Sequence, residues 1–291
     1  MKGWASLNST ELSKLTRFAA KIRYGAIKSI QEAGQGHIGG SLSIADTLAV
    51  LYGKQMHINP QEPHWPNRDW LVLSKGHAGP VLYSALAASG FIDDSVLATL
   101  NRGGTILPSH PDRNKTPGVD ATTGSLGQGT SQAAGIATGL KQKHLSSYVY
   151  LIVGDGELNE GQCWEAFQYI ASNKLNNCIV FIDNNKKQLD GWTDDIIRQF
   201  SIADKMRAFG FSTVTVDGRD LKQIDAAIDY LKTIEDSAVC IVLDTIKGAG
   251  VKLFEDMEDN HSVKFGNEKI NKETDEALMN LEQIFEGEKN V

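Results

Sequence analysis

The sequence predicts an α/β fold, a doubly wound, mainly parallel sheet with helices on both faces. Three observations predict it. Strands are expected at 148–153, 178–183, 211–216 and 239–244, the first two on the apolar runs Tyr148–Val153 and Cys178–Ile182, which have the length of buried strands. Helical stretches at about 160–173, 201–209 and 220–234 separate them, which implies right-handed crossovers and a parallel sheet covered on both sides. The polar and glycine-rich segments 154–156, 184–185 and 245–248 all follow strands, on the C-terminal edge where such sheets collect ligands.

Taken in order, Asn8 and Glu11 form an N-cap and its returning acid. Leu12, Leu15, Phe18, Ile22, Ile27 and Ile30 then recur at helical spacing until Gly34. The turn Gly34-Gln35-Gly36-His37-Ile38-Gly39-Gly40 leads into a second helix through Ile44, Leu48 and Leu51. Trp70-Leu71-Val72-Leu73 reads as a short strand, followed by Ser74-Lys75-Gly76-His77 and a small-residue helix ending near Gly90. Residues 101–129 carry the Gly, Pro, Thr and Asp of a loop, and a loop this long in a compact domain is functional or disordered. The next helix, about 128–144, holds Ala133, Ala134, Gly135, Ala137 and Gly139. Its small residues serve either tight internal packing or close contact with a second chain. The final segment, about 267–286, reads as a charged amphipathic helix. We therefore expect one domain, residues 1–265, with 266–291 as its helical tail.

Composition narrows the class. The 291 residues carry a net charge of −7 with no stripe of Lys and Arg, which disfavours nucleic acid and anionic membrane as partners. No run approaches the ~20 apolar residues of a membrane span, and the N-terminus lacks a signal-peptide core. Cys163, Cys178 and Cys240 sit in or beside apolar patterns without metal-ligand spacing, as expected of buried thiols in a reducing cytosol. The expected location is cytoplasmic.

The chemistry is carried by Gly154-Asp155-Gly156 and, thirty residues on, Asp183-Asn184-Asn185. Two neighbouring strands each deliver a hard oxygen ligand at the C-terminal end, a site for a small divalent cation. Glycines beside the acid let a diphosphate approach the backbone. Asp155 would repel a bare pyrophosphate, whereas a bound Mg2+ reverses that logic. A dinucleotide fingerprint would need glycine at position 159, where Asn159 stands.

These words resemble the thiamine-diphosphate signature, and their neighbours are similar to the transketolase family. The resemblance is carried by Gly36-His37, Leu73-Ser74-Lys75-Gly76-His77, Ser109-His110-Pro111 and the run from Thr122 through Gly124-Ser125-Leu126-Gly127-Gln128-Gly129. Asp155-Gly156-Glu157, Glu160-Gly161, Trp164-Glu165 and Leu189-Asp190-Gly191 continue it, so that it runs from about residue 10 to 265. Ile38 and Ser125 depart from it, standing where many transketolases have proline.

The resemblance implies that residues 1–265 bind the cofactor thiamine diphosphate with Mg2+, for which Ca2+ or Mn2+ can substitute. It implies that Asp155, Asn185 and the backbone carbonyl of Lys187 bind the metal. Gly154, Gly156 and Glu157 would lie at the diphosphate, and Gly124, Ser125 and Leu126 near the rings. His37, His77, His110 and His261 match positions from which histidines face cofactor and sugar, with His77 and His261 also contacting the cofactor. Lys247 is either a cofactor-phosphate contact or a solvated charge. Glu160 and Glu165 are either acids linking two active sites at a subunit interface or first-turn residues favoured by the helix dipole.

A full transketolase also carries a pyrimidine-binding and a C-terminal domain, so the resemblance covers the first domain alone. It implies the N-terminal subunit of a two-chain enzyme, an α2β2 heterotetramer with a C-terminal subunit that supplies the pyrimidine-binding domain and its activating glutamate. That enzyme transfers a two-carbon ketol unit from a ketose phosphate to an aldose. This chain alone would be inactive. Imidazoles with pKa values near neutrality suit a reaction in which sugar hydroxyls gain and lose protons. Three alternatives remain: a 2-oxo acid dehydrogenase subunit of α type, a deoxyxylulose-phosphate-synthase relative, and an inactive partner-binding paralogue.

Overall fold

The structure, a computed structural model, describes residues 7–287. Helix α1 (Ser9–Ala33) starts with the expected reciprocal cap: Asn8 Oδ1 accepts from the Glu11 amide at 2.9 Å, and Glu11 accepts from the Asn8 amide at 3.0 Å. Two amides that a helix start leaves unbonded are thereby answered. The helix ends at Gly34, whose φ of 84° lies in the left-handed region that favours glycine. Beyond it the expected second helix is broken into the short turns Gly39–Leu42 and Ala45–Val50 and a π-turn, Leu51–Gln55. The break falls at Ser43, whose hydroxyl bonds the Gly40 carbonyl and Asp183 Oδ2 at 3.2 and 2.7 Å. A side chain committed to such bonds competes with helix continuation.

There follow β1 (Trp70–Leu73), α2 (Gly79–Ala88), α3 (Gln128–Gln142), β2 (Val149–Gly154), α4 (Gly161–Ser172) and β3 (Cys178–Asn184). Then come α5 (Ile202–Ala208), β4 (Phe211–Asp217), α6 (Leu221–Lys232), β5 (Ala238–Asp244) and α7 (Glu268–Glu286). The five strands pair in parallel in the order β1-β2-β3-β5-β4. Successive residues of each central strand face opposite cores. Tyr150, Ile152, Ile179, Phe181 and Ile241 share one with α1, α2 and α6; Leu151, Val153, Val180, Ile182 and Val242 share the other with α3, α4 and α5. Burial on both faces is why these strands read as continuous apolar runs. The three cysteines are buried and free. Among the described residues no helix is long and apolar enough to cross a membrane.

Helix α7 is tied to the start of the chain. Leu278 and Leu281 are buried, Gln31 donates to Asp275 at 2.8 Å, and Tyr24 meets Phe285 edge-on at 5.4 Å between centroids. Gln35–Gly36 also pairs antiparallel with Val263–Lys264, a link too short for periodicity to reveal.

Two features position the site. The register sets Gly154 opposite Asp183, so the turns after β2 and β3 lie side by side. Between Leu100 and Gln128 the chain forms no helix or strand, yet it is pinned. A buried Arg68–Asp120 ion pair at 2.7 Å and a Thr123 hydroxyl bond to the Leu73 carbonyl at 2.7 Å hold it over the sheet edge.

Candidate functional site

At the end of β2, Asp155 is 2% exposed and accepts from two backbone amides, Gly156 at 2.8 Å and Lys186 at 2.5 Å. Burial, and after it the nearby Asp183 carboxylate, pushes the Asp155 carboxyl up to about 7. Two residues past Asp183, Asn185 donates its amide nitrogen to Asp183 Oδ2 at 2.8 Å and accepts at Oδ1 from the Lys187 amide at 3.2 Å. The Lys187 carbonyl lies 3.4 Å from the Lys247 ammonium, while the Lys187 ammonium reaches the carbonyls of Met257 and Glu258.

Lys247 supplies the opposite charge. It is 3% exposed, and its ammonium meets only carbonyl oxygens and His261 Nδ1, at 3.0 Å. Burial, with Lys75 adding repulsion, lowers it to about 8. A buried carboxylate and a buried ammonium, each without an ion-pair partner among the described residues, lie near enough at this sheet edge to feel each other's charge. Such charges are costly unless compensated. A cation at Asp155 and an anion at Lys247 would compensate both, so the residues fit a metal-diphosphate group. Among the described residues no three His, Cys, Asp or Glu side chains form a metal cluster. The set offered here is one carboxylate, one amide oxygen and one carbonyl, hard ligands of the kind Mg2+ takes alongside phosphate and water.

All four expected histidines converge. The His37 ring lies 5.5, 6.0 and 5.2 Å from those of His77, His110 and His261, and His77 lies 5.1 Å from His261. They come from the 34–40 turn, the turn before α2, the long loop and the 257–262 segment. Burial lowers all four pKa values. His110 and Lys247 add to the effect at His37, Lys75 at His77, and Lys247 at His261, which falls to about 3. At neutral pH the cluster is four neutral imidazoles, each with one donor and one acceptor. By contrast His57, His64 and His144 are exposed, and the His57 ring packs on Trp65.

The glycines have separate tasks. A Cβ on Gly156 would lie 2.7 Å from Gln188 Cβ, so that backbone passes too close for a side chain. A Cβ on Gly76 would strike the Gly124 amide at 2.7 Å, showing how tightly the two turns meet. Gly124 itself (φ 155°) lies against His110. Gly154 has room for a Cβ, its nearest neighbours lying at 3.8 Å.

Other expected residues fall as follows. The Glu157 carboxylate turns inward to the Ser74 hydroxyl and the Gly127 and Gly154 amides at 2.5, 2.8 and 3.0 Å. With these bonds it braces the two turns. Ser125 and Leu126 are exposed beside Gly124. Glu160 and Glu165 are exposed at and just after the start of α4. On α3, Ala133, Ala134 and Ala137 pack inward, whereas a Cβ on Gly135 or Gly139 would meet open space. Both readings of that helix therefore have residues to serve them.

Three residues of the site have roles that escaped the sequence reading. Lys75 and Asp183 form an ion pair at 2.5 Å, each no more than 1% exposed, beneath Asn185. Asn260 donates to the Lys247 and Phe254 carbonyls at 2.9 and 2.7 Å and accepts at its backbone from the Gly39 amide. A lysine after one strand and an aspartate closing another were the available signals; nothing marked Asn260.

The family model described as the transketolase thiamine diphosphate binding domain matches residues 15–291. The chain is 46% identical over 247 residues to the 6-deoxy-6-sulfo-D-fructose transketolase subunit SqwG of a Clostridium strain, covering 85% of this chain and 90% of that protein. It is 35% identical over 266 residues to an apulose-4-phosphate transketolase subunit of Actinobacillus succinogenes, covering 90% and 95%. The solved transketolase of Campylobacter jejuni superposes with a TM-score of 0.84 at 29% identity, over 96% of this chain and 47% of that one. The chain thus spans nearly all of the two subunit relatives and just under half of the solved transketolase. It belongs to the transketolase family, as a thiamine diphosphate binding domain.

Proposed function

We propose that this member of the transketolase family is the cofactor-binding subunit of a two-chain transketolase, transferring a two-carbon ketol unit from a ketose to an aldose with thiamine diphosphate and Mg2+. The observation that carries the reading is the uncompensated pair Asp155 and Lys247 beside four clustered imidazoles. Asp155, the Asn185 amide oxygen and the Lys187 carbonyl would hold the metal; Lys247, the Gly156 backbone and His261 would meet the diphosphate. When bound, the cofactor supplies an electron sink for carbon–carbon cleavage. His37, His77 and His110, held neutral by burial, accept from or donate to the sugar hydroxyls whose protons move. The several imidazoles suit a polyol, which favours this reading over decarboxylation of a 2-oxo acid.

The partner is a second chain carrying the pyrimidine-binding domain. The two subunit-named relatives support it, as do the large apolar side chains left exposed just past the site at Leu189, Trp192, Ile197 and Phe200. Gly135 and Gly139 leave a flat outer face on α3 for self-association into α2β2, with the exposed Glu160 at the cap of α4 and Glu165 on that helix. Cytoplasmic location is supported by three buried free thiols.

The test is ketol transfer from xylulose 5-phosphate to ribose 5-phosphate by this chain co-expressed with the protein encoded beside it. 6-Deoxy-6-sulfo-D-fructose and apulose 4-phosphate serve as further donors, since two relatives are named for them. Activity in the mixture alone is expected. Full activity from this chain by itself overturns the two-chain reading, and a mixture inert to every donor overturns ketol transfer.

A further inference from the structure

We propose that Asp183 is a positioning residue that selects which end of the Asn185 amide is presented as a cation ligand. The inference rests on the metal reading above. An asparagine amide is nearly symmetric in shape, and only its hydrogen-bond partners decide where nitrogen and oxygen lie. Facing Asn185 is Asp183 Oδ2, a pure acceptor, which takes the amide nitrogen at 2.8 Å. The amide oxygen is thereby sent the other way, towards the Lys187 backbone at 3.2 Å. With the amide reversed, the nitrogen would replace the oxygen and the cation would lose that ligand.

Asp183 is itself held fast. The same oxygen accepts from Lys75 Nζ at 2.5 Å and from the Ser43 hydroxyl at 2.7 Å, and Lys75 also donates to the Gly40 carbonyl at 2.7 Å. Asp183 and Lys75 are 0% and 1% exposed at their side chains. The pair also ties down the Ser43 and Gly40 turn, yet that alone does not call for a buried charge at position 183. Asp183 follows Phe181 and Ile182 on a central strand where an apolar residue would pack, and buried ion pairs are often matched or bettered by apolar substitutes. Its other oxygen, Oδ1, has no hydrogen-bond partner. A costly carboxylate two residues before a metal ligand, touching that ligand's nitrogen, is explained by the orientation it imposes.

The test measures Mn2+ affinity by electron paramagnetic resonance, with the full chain, thiamine diphosphate and the partner subunit present, and checks folding by circular dichroism. Asp183→Asn is expected to weaken Mn2+ by about tenfold or more, the usual size of an outer-shell orientation effect. The exchange Asp183→Asn with Asn185→Asp is expected to restore affinity to within a few-fold. A carboxylate at 185 offers oxygen in either orientation, and an amide at 183 can donate to it. Ser43→Ala, which removes a donor to Asp183 without changing the choice, is expected to hold affinity within twofold. A folded Asp183→Asn with unchanged affinity overturns the inference, because a purely structural role would lower Tm and leave Mn2+ binding alone. Should that variant fail to fold, the exchange decides: Mn2+ binding supports the inference and its loss overturns it. Should Ser43→Ala lose as much affinity as Asp183→Asn, or neither 183 variant fold, selection by Asp183 is overturned in favour of bulk support. If the unaltered protein binds no Mn2+, the metal reading itself falls and takes this inference with it.

Discussion

Lys247 Nζ lies 3.0 Å from His261 Nδ1, and among the described residues neither group has a carboxylate as hydrogen-bond partner. With the ammonium donating, Nδ1 is the acceptor and the imidazole proton sits on Nε2. The pair concentrates buried positive charge that a diphosphate would neutralise. In the ligand-free chain Lys247 titrates near 8 against about 10.4 when unfolded, so its charged form opposes folding. We expect Lys247→Met to raise the Tm of the ligand-free chain at pH 7 by several degrees, on the order of 2–3 kcal/mol. The same change should weaken cofactor binding at least tenfold. Scanning calorimetry and titration calorimetry check the two halves; a lowered Tm with unchanged binding would refute the assignment.

The pH dependence follows with its sign. The folded pKa of Lys247 is depressed, so between about 8 and 10.5 the unfolded chain holds the proton that the native chain has released. Stability rises with pH wherever the unfolded state binds more protons. The stability gap between Lys247→Met and the unaltered chain should therefore close as pH rises through that window. His261, at about 3 against 6.5, acts on the acid side: its contribution is lost as pH falls from 6.5 towards 3. His261→Gln should flatten that part of the curve. Urea midpoints at a series of pH values give the comparison.

Asp155→Ala should abolish Mg2+-dependent cofactor binding. The side chain is buried, is flanked by two amides, and carries the one negative charge in the ligand set. Removing it also relieves an uncompensated buried carboxylate, so the ligand-free variant should keep its fold. Unchanged cofactor affinity in calorimetry with and without Mg2+ would exclude Asp155 as a ligand.

How much of this was legible in the sequence depends on how many residues announce each feature. Strands β2, β3 and β5 showed themselves because both faces are buried, and a continuous apolar run needs no partner to be recognised; the half-exposed edge strand β4 was legible only from its place in the alternation of strands and helices. Asp155 and Asn185 showed themselves because each follows such a run. The broken helix after Gly39 did not, since the residue that breaks it, Ser43, is bonded to Asp183 140 positions away. Lys75 and Asn260 stayed hidden for the same reason: their partners are set by tertiary contact. The bracing bonds of Glu157 to Ser74, Gly127 and Gly154 were not legible either, because a motif gives the address of a carboxylate and not the direction it points.

Gly156 offers a test of close approach. Its backbone has no positive φ, and the obstacle to a side chain is Gln188, whose Cβ would lie 2.7 Å away. Gly156→Ala should cost about 1–3 kcal/mol of stability through overpacking. It should also displace the turn that would face the diphosphate. Gln188→Gly in the same chain, which removes that Cβ, should recover part of the lost stability, a coupling that a double-mutant cycle measures. Additive effects of the two changes would show that the clash is relieved elsewhere.

The apolar residues beyond the site give the last test. Leu189, Trp192, Ile197 and Phe200 are 65%, 52%, 58% and 73% exposed, a density of large side chains that solvent alone does not reward. They follow directly on Lys187 and Gln188, so a chain covering them would also close the cofactor edge. Ile197→Asp, and Phe200→Asp, which removes only an exposed contact of the Arg198 guanidinium 5.2 Å from the ring, should leave the Tm of the isolated chain within a degree or two. Each should weaken association with the partner by about thirtyfold, the loss of one interface anchor of roughly 2 kcal/mol. Met279, 54% exposed on α7, is the matched control, and Met279→Asp should leave association unchanged. Were the control to disrupt the complex and the strip variants to spare it, the partner would sit against α7, away from the cofactor edge, and the shared active site would have to be abandoned.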